Sequence, residues 1–534
     1  MTHLSWISLI PPVLVVILAI KTKSIVFSLF SGVTASLLLI FFGGPEPPEG
    51  SGPIDMIIYG LNILSDSVGS KDNILLIIFL CLMGGIIAVL TASGCANSFS
   101  DTVTKRVKTK RKAEGITFLI GCLIFIDDYF NAITVGNMMV SITDKMKISR
   151  AKLAYLIDST SAPVTVLMPV SSWVATIISL MLPELKANGF NMRGMHAFMG
   201  AMAYNLYAWL TLFMVVIVIF FNMNIGKMKL FEERFAETGR DESVFVDVNE
   251  TVIDNIAEDN KGTTSDMIAV LLFLVVSTIA LMLYTGGIMD NNITVTAAFI
   301  NCNPNISLAV SAVMTIIVCF VIFVAIRKMK LSKFEDAFLH GVKSMSAPII
   351  ILILSWTFSS LLGGQGLRTG EFLALIFNKV LPGYTLPMLV FVIAALISFS
   401  TGASWGAMAI TIPTSITICM AIDPTYINMV LGATMAGSVF GDHCSPLADT
   451  TVMSSSGAGC KHLEHVVTQL PYAIIVAVIS MAGYLFAGLS HRGWVAYAFG
   501  ICAIMAIGII YNRFADNSEK GRNAGGQHVQ NSSM

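Results

Sequence analysis

Charge is what this chain has least of. Only 12% of its 534 residues are Asp, Glu, Lys or Arg, about half the share found in soluble domains. With 55% hydrophobic residues and a mean hydropathy of +0.78, that scarcity excludes an ordinary soluble enzyme, because so much apolar surface must face lipid. A basic excess is also missing. The net charge of −1 and pI near 6.7 exclude a nucleic-acid binder that works by bulk electrostatics. The nine cysteines form no CxxC pair and lie in apolar runs, so they read as packed thiols rather than a disulfide framework. No Gly-x-x-x-x-Gly-Lys-Ser/Thr occurs, which argues against ATP-driven work by this chain alone. The first apolar run, 6–20, has no basic region before it and no small-residue cleavage site, so it reads as a retained membrane helix.

What the sequence has instead is a series of apolar runs close to the ~20 residues that a spanning helix needs. They predict eleven crossings, near 5–20, 24–43, 73–92, 151–182, 198–224, 265–285, 305–326, 340–362, 427–456, 469–490 and 493–512. Two further stretches, 115–144 and 385–421, carry polar, small-residue interruptions: Asp127-Asp128-Tyr129-Phe130-Asn131 in one and Ser400-Thr401-Gly402-Ala403-Ser404-Trp405-Gly406 in the other. Basic residues set the orientation. They cluster at Lys21 and Lys23, at Lys105–Lys112, at Lys145–Lys152, at Arg327–Lys333 and from Arg513 onward. Placing these in the cytoplasm gives an external N-terminus and a cytoplasmic C-terminus. It also makes 115–144 a re-entrant hairpin with both ends cytoplasmic, and 385–421 a re-entrant hairpin that enters from the other face.

The two halves share a spacing. From Asp128 to Pro169 is 41 residues, and from Trp405 to Pro446 is again 41. Each hairpin is followed by a helix interrupted by Pro and small residues, at Ser159-Thr160-Ser161-Ala162-Pro163 and at Gly441-Asp442-His443-Cys444-Ser445-Pro446. The expected fold is therefore an all-α polytopic membrane protein of about 11 transmembrane helices and two re-entrant hairpins, arranged as two inverted repeats, which is the organisation of a secondary transporter. The expected divisions are a first membrane half at 1–226 and a second at 264–512. Between them lies a mobile cytoplasmic linker at 227–263, with ten acidic and five basic residues, and a disordered cytoplasmic tail follows at 513–534.

Five aspartates fall at membrane depth: Asp127, Asp128, Asp158, Asp442 and Asp449. Insertion costs on the order of 12–17 kcal/mol in total unless they line a polar cavity or meet cations. Three clusters result. The first is Asp127, Asp128 and Asn131 at the first hairpin tip, where an aspartate could simply cap the return helix. The second is Asp158, Ser159 and Thr160 before Pro163, whose missing N–H frees a carbonyl one turn earlier. The third is Asp442, His443 and Ser445, then Asp449 and Thr450. Thr401 and Ser404 are the polar groups of the second hairpin tip. Broken helices supply cation ligands, so Asp158 and Asp442 are the candidate sodium ligands. Zinc is disfavoured because the adjacent Asp442, His443 and Cys444 cannot converge on one metal. His443 is either a titrating pH sensor or a hydrogen-bonded core histidine.

At these residues the sequence resembles the NhaC-type sodium/proton antiporter family. The matching runs are Phe125–Tyr129 with Asn131, Lys152–Val164, and Gly441-Asp442-His443-Cys444-Ser445-Pro446-Leu447-Ala448-Asp449-Thr450-Thr451, within a region of about 75–485. The resemblance implies two inverted repeats with re-entrant hairpins, exchange of sodium for protons as coupling ions without a further cofactor, and a homodimer in the bacterial cytoplasmic membrane. Some relatives move organic acids or amino acids, and Phe130 replaces the smaller residue that many carry after the tyrosine. The alternative is therefore a sodium- or proton-coupled carrier of an amino acid or small carboxylate. An ion channel and an intramembrane hydrolase are disfavoured by the long internally repeated chain and the absence of a catalytic arrangement.

Overall fold

The computed structural model describes residues 6–22, 24–42, 52–95, 98, 107–190, 192–244, 262–289, 293–362, 366–368, 372, 382–446 and 448–531. Among these residues the regular elements are all helices, apart from an isolated bridge between Val244 and Cys460. Six helices are long and apolar enough to cross a membrane: Lys71–Ala92, Thr264–Thr285, Pro304–Ile326, Ser404–Ile422, His462–Ser490 and Gly493–Arg513. Two bent pairs, Arg150–Leu167 with Ser172–Ala187 (50°) and Gly194–Met202 with Leu206–Phe221 (48°), raise the candidates to eight. The stretches 5–20, 24–43 and 340–362, expected as full crossings, hold the shorter apolar helices Trp6–Val15, Val26–Phe42 and Ile349–Leu362. The expected helix 427–456 is split into Ile427–Cys444 and Asp449–Ala458.

Local sequence accounts for the breaks around which the site is built. The first hairpin consists of Lys110–Leu123, capped by the Thr109 hydroxyl, and Asp128–Lys145, capped by the Asp127 carboxylate. The second consists of Leu386–Thr401 and Ser404–Ile422, joined at Gly402, whose φ of +69° is readily available only to glycine. The first broken helix runs Arg150–Asp158, Ala162–Leu167 and Ser172–Ala187. Pro163 sits in the first turn of the middle piece, where it has no N–H to lose. The second broken helix is Ile427–Cys444 and Asp449–Ala458, interrupted at Ser445 and Pro446.

The two units interlock. The distal arm Ser172–Ala187 of the first broken helix packs on Ser404–Ile422 of the second hairpin. The distal arm Asp449–Ala458 of the second broken helix packs on Asp128–Lys145 of the first. The second of these crossings is close enough that a Cβ on Gly457 would lie 2.6 Å from the Ala132 carbonyl oxygen. Arg150 Nη1 donates to the Ala458 carbonyl at 2.7 Å, placing a cation on that helix C-terminus. Thr264–Thr285, Pro304–Ile326 and Gly493–Arg513 are only 28%, 33% and 22% buried, so they form the lipid-facing periphery around this interlocked centre.

Two expectations require correction. The stretch 227–263 is not a loose linker throughout: Lys227–Thr238 is a helix docked on the membrane core. Its Glu232 accepts the Ser149 N–H at 2.7 Å and pairs with Lys110. Just beyond the helix, Asp241 accepts the Arg150 N–H at 2.6 Å. The remainder of the linker, 245–261, lies outside the described residues. The tail from 513, expected to be disordered, is helical to Asn531. It prolongs a helix already nucleated in the apolar segment, so each added residue gains a hydrogen bond without a new nucleus. A further helix outside the expected crossings, Pro53–Gly69, has Pro53 in its first turn and the Asp55 carboxylate accepting the Gly52 N–H.

Candidate functional site

The proximal arms of both broken helices end on a carboxylate. Arg150–Asp158 closes on Asp158, and Ile427–Cys444 carries Asp442 in its last turn. Both side chains are buried, and Cys444 lies within electrostatic reach of the two of them. A helix C-terminus carries partial negative charge. The fold therefore brings together two negative helix ends and two carboxylates, and Asp158 is bonded to no lysine or arginine among the described residues. Two negative helix ends beside buried carboxylates favour positive charge.

Asp158 is held by neutral donors. Thr451 Oγ1 and Gln469 Nε2 reach Oδ2 at 3.1 and 2.6 Å, and Ser454 Oγ reaches Oδ1 at 3.3 Å. His465 Nε2 stands 3.8 Å from Oδ2. Asp442 Oδ2 accepts from Thr450 Oγ1 at 2.7 Å. His443 joins the units: Nε2 meets the Asp158 main-chain oxygen at 3.0 Å and Nδ1 meets Tyr207 Oη at 3.1 Å. A carbonyl oxygen only accepts, so Nε2 carries a proton and a neutral His443 takes its second bond from the tyrosine hydroxyl.

The first hairpin tip divides its roles. Asp127 caps the return helix, with Oδ1 accepting the Phe130 N–H at 3.0 Å and Oδ2 accepting from Ser172 Oγ at 3.1 Å, so its carboxylate serves the fold. Asp128 Oδ1 accepts from Trp173 Nε1 at 3.1 Å, while its buried Oδ2 has no hydrogen-bond partner among the described residues. Asp128 is also near enough to Asp442 for their charges to interact. Asn131 Nδ2 donates to the carbonyls of Gly121, Ile124 and Thr160, stitching the hairpin to the first break. The Thr160 hydroxyl turns back onto its own helix at Leu156 and Ile157 and so is a kink-stabilising group. Ser159 Oγ is buried without a hydrogen-bond partner among the described residues.

At the second tip, Ser404 Oγ donates to the Ser438 carbonyl at 3.3 Å. The indoles of Trp173 and Trp405 meet with centroids 5.0 Å apart, which places the second tip beside the residues that hold the first. Ser445 donates its N–H to the Asp442 carbonyl at 3.0 Å, closing the second break. The side chains of Thr401 and Asp449 lie outside the described residues.

Sequence reasoning missed Gln469, His465, Thr451 and Ser454 as partners of Asp158, and Trp173 as the partner of Asp128. One signal was available: His462, His465 and Gln469 recur at intervals of three and four, marking a polar stripe on one face of an otherwise apolar helix.

Comparison with known proteins agrees with this architecture. The family model for the Na+/H+ antiporter family matches residues 164–489. An uncharacterised protein of Haemophilus influenzae is 33% identical over 509 residues, covering 94% of each chain. The malate-2H+/Na+-lactate antiporter of Bacillus subtilis is 28% identical over 163 residues, covering 29% of this chain and 33% of that one. Among solved structures, the Alcanivorax borkumensis YdaH transporter superposes with a TM-score of 0.57 at 13% identity, covering 92% of this chain and 99% of its own, which is a likeness of fold. Its helices and its family make this a multi-pass membrane protein, and the chain belongs to the Na+/H+ antiporter family.

Proposed function

We infer that this protein exchanges sodium for protons across a bacterial cytoplasmic membrane by alternating access. The observation that carries this reading is the meeting of two half-helix C-termini, each with its own buried aspartate, Asp158 and Asp442, tied together through His443 and Gln469. A negative site inside lipid is tolerable only when neutralised. Sodium and a proton each neutralise it, and each excludes the other. Their binding is then reciprocally coupled, which is the thermodynamic requirement for antiport. The halves 1–226 and 264–512 act as inverted repeats that rock about this centre, with eleven crossings, an external N-terminus, a cytoplasmic C-terminus and a homodimeric assembly. The interlocking of each distal arm with the other unit's hairpin supports that reading.

A second reading, coupled carriage of a small carboxylate, is favoured by one observation. Trp405 Nε1 is a buried donor with no hydrogen-bond partner among the described residues, beside the tips of both hairpins. The name of the Bacillus relative points the same way. Proteoliposomes with a pH dye inside and an imposed sodium gradient separate the two. Sodium-driven proton movement without any organic solute supports exchange, whereas movement that requires a carboxylate or amino acid supports the carrier.

A further inference from the structure

Beside the Asp158–Gln469–His443 junction lies a cavity of about 10 Å³ whose walls include Tyr155, Ser159, Tyr207, Thr211, His443 and Gln469. This is room for one water-sized particle. Three hydroxyls on its wall, Tyr155 Oη, Ser159 Oγ and Thr211 Oγ1, are buried without a hydrogen-bond partner among the described residues. Ser159 is within reach of Tyr155, and Thr211 within reach of Tyr207, but the geometry of neither pair makes a good hydrogen bond. Buried polar groups are normally satisfied, so three orphaned oxygens around one void mark a place where something binds.

Electrostatics selects the occupant. Ser159 caps the C-terminus of Arg150–Asp158, and His443 stands in the last turn of Ile427–Cys444. Both helix ends present negative charge to the void, and Asp158 and Asp442 lie in the same two turns. An anion is repelled there, and an apolar group would leave the hydroxyls unpaired. We propose that this cavity seats one dehydrated monovalent cation of sodium's size, with the hydroxyl oxygens of Tyr155, Ser159 and Thr211 as ligands and Asp158 as counter-charge. Tyr155 is fixed for this role by its ring contact with Tyr472, at a centroid separation of 4.7 Å. Thr211 brings a helix outside both broken helices into the site. The inference rests on the exchange reading and adds the neutral ligands that hold the ion.

The test is sodium binding by the purified full-length protein, followed with radioactive sodium and as a sodium-dependent rise in unfolding temperature. Thr211→Val and Tyr155→Phe each remove one oxygen with little change of shape. Each is expected to weaken sodium affinity at least about tenfold, while Thr211→Ser keeps it and potassium competes poorly in the parent. Unfolding temperatures without sodium are expected to stay close to the parent's. Parental sodium affinity in both oxygen-deleted variants would overturn the inference, leaving an ordered water in the cavity and the exchange reading intact. No sodium binding by the parent would overturn both.

Discussion

Gln469 Nε2 donates to Asp158 Oδ2 at 2.6 Å. Its other hydrogen goes to the His443 carbonyl at 2.9 Å, so one amide ties the first broken helix to the second. Its Oε1 meets His465 Nε2 at 3.1 Å, which fixes the amide's orientation. Replacing it by leucine strips a donor from a buried carboxylate and unties the two units at once. Gln469→Leu is expected to raise the apparent KM for sodium about tenfold in proteoliposome flux, with Gln469→Glu no better because it sets a second carboxylate against the first. Parental KM in Gln469→Leu would show that Asp158 needs no such support.

His443 has both ring nitrogens committed, one to the Asp158 carbonyl and one to Tyr207. A proton added at Nδ1 would have to turn the tyrosine hydroxyl from donor to acceptor. The geometry favours a structural clasp over a sensor. His443→Gln is expected to slow transport while leaving the midpoint of its pH profile in place. A midpoint that moves would make His443 a titrating group.

Glu232 lies outside the membrane-spanning segments, on the docked helix Lys227–Thr238. Burial alone would push its carboxyl up, but the nearby charges of Lys152 and Lys110, with the Ser149 N–H, hold it below its ordinary value of 4.5. A carboxyl depressed in the folded state contributes stability that is present above its unfolded value and is lost as pH falls through its folded value. The docked helix is therefore expected to loosen only in acid, below about pH 4.5. Glu232→Gln is expected to loosen it already at neutral pH, by about 2 kcal/mol. Hydrogen exchange of the 227–238 amides, with and without the substitution, measures both effects.

The two hairpins are expected to open to opposite faces of the membrane. Lys112 and Pro382, at the outer ends of the two hairpins, are exposed, and Cys502 is the exposed one among the nine native cysteines. In a Cys502→Ser background, Lys112→Cys and Pro382→Cys should label from opposite sides with a membrane-impermeant maleimide. Labelling from the same side would contradict the inverted arrangement.

The parts of this fold that were legible in the sequence are those with local causes. Pro163 opens the middle piece of the first broken helix, Pro446 lies in the break of the second, Gly402 turns the second hairpin, and Asp127 caps the return of the first. The carboxylates were legible because charge is so rare in an apolar chain. Long-range partnerships were not. Nothing near Ser149 or Arg150 announces that Glu232 and Asp241, more than 80 residues later, will take their amide hydrogens. The acidic composition of 227–263 read as solvated because its partners were out of view. Likewise Trp173 gave no hint that its indole would bridge Asp128 to Trp405.

Exchange at shared carboxylates is tested most directly by titrating the purified protein with sodium in a calorimeter, in two buffers of different ionisation enthalpy. The heat difference between buffers counts the protons released as sodium binds. The account predicts proton release by the parent, apparent sodium affinity that weakens as pH falls, and loss of both in Asp442→Asn, whose side chain keeps the hydrogen bond from Thr450 but not the charge. Sodium binding without proton release in the parent, or parental affinity in Asp442→Asn, would contradict it.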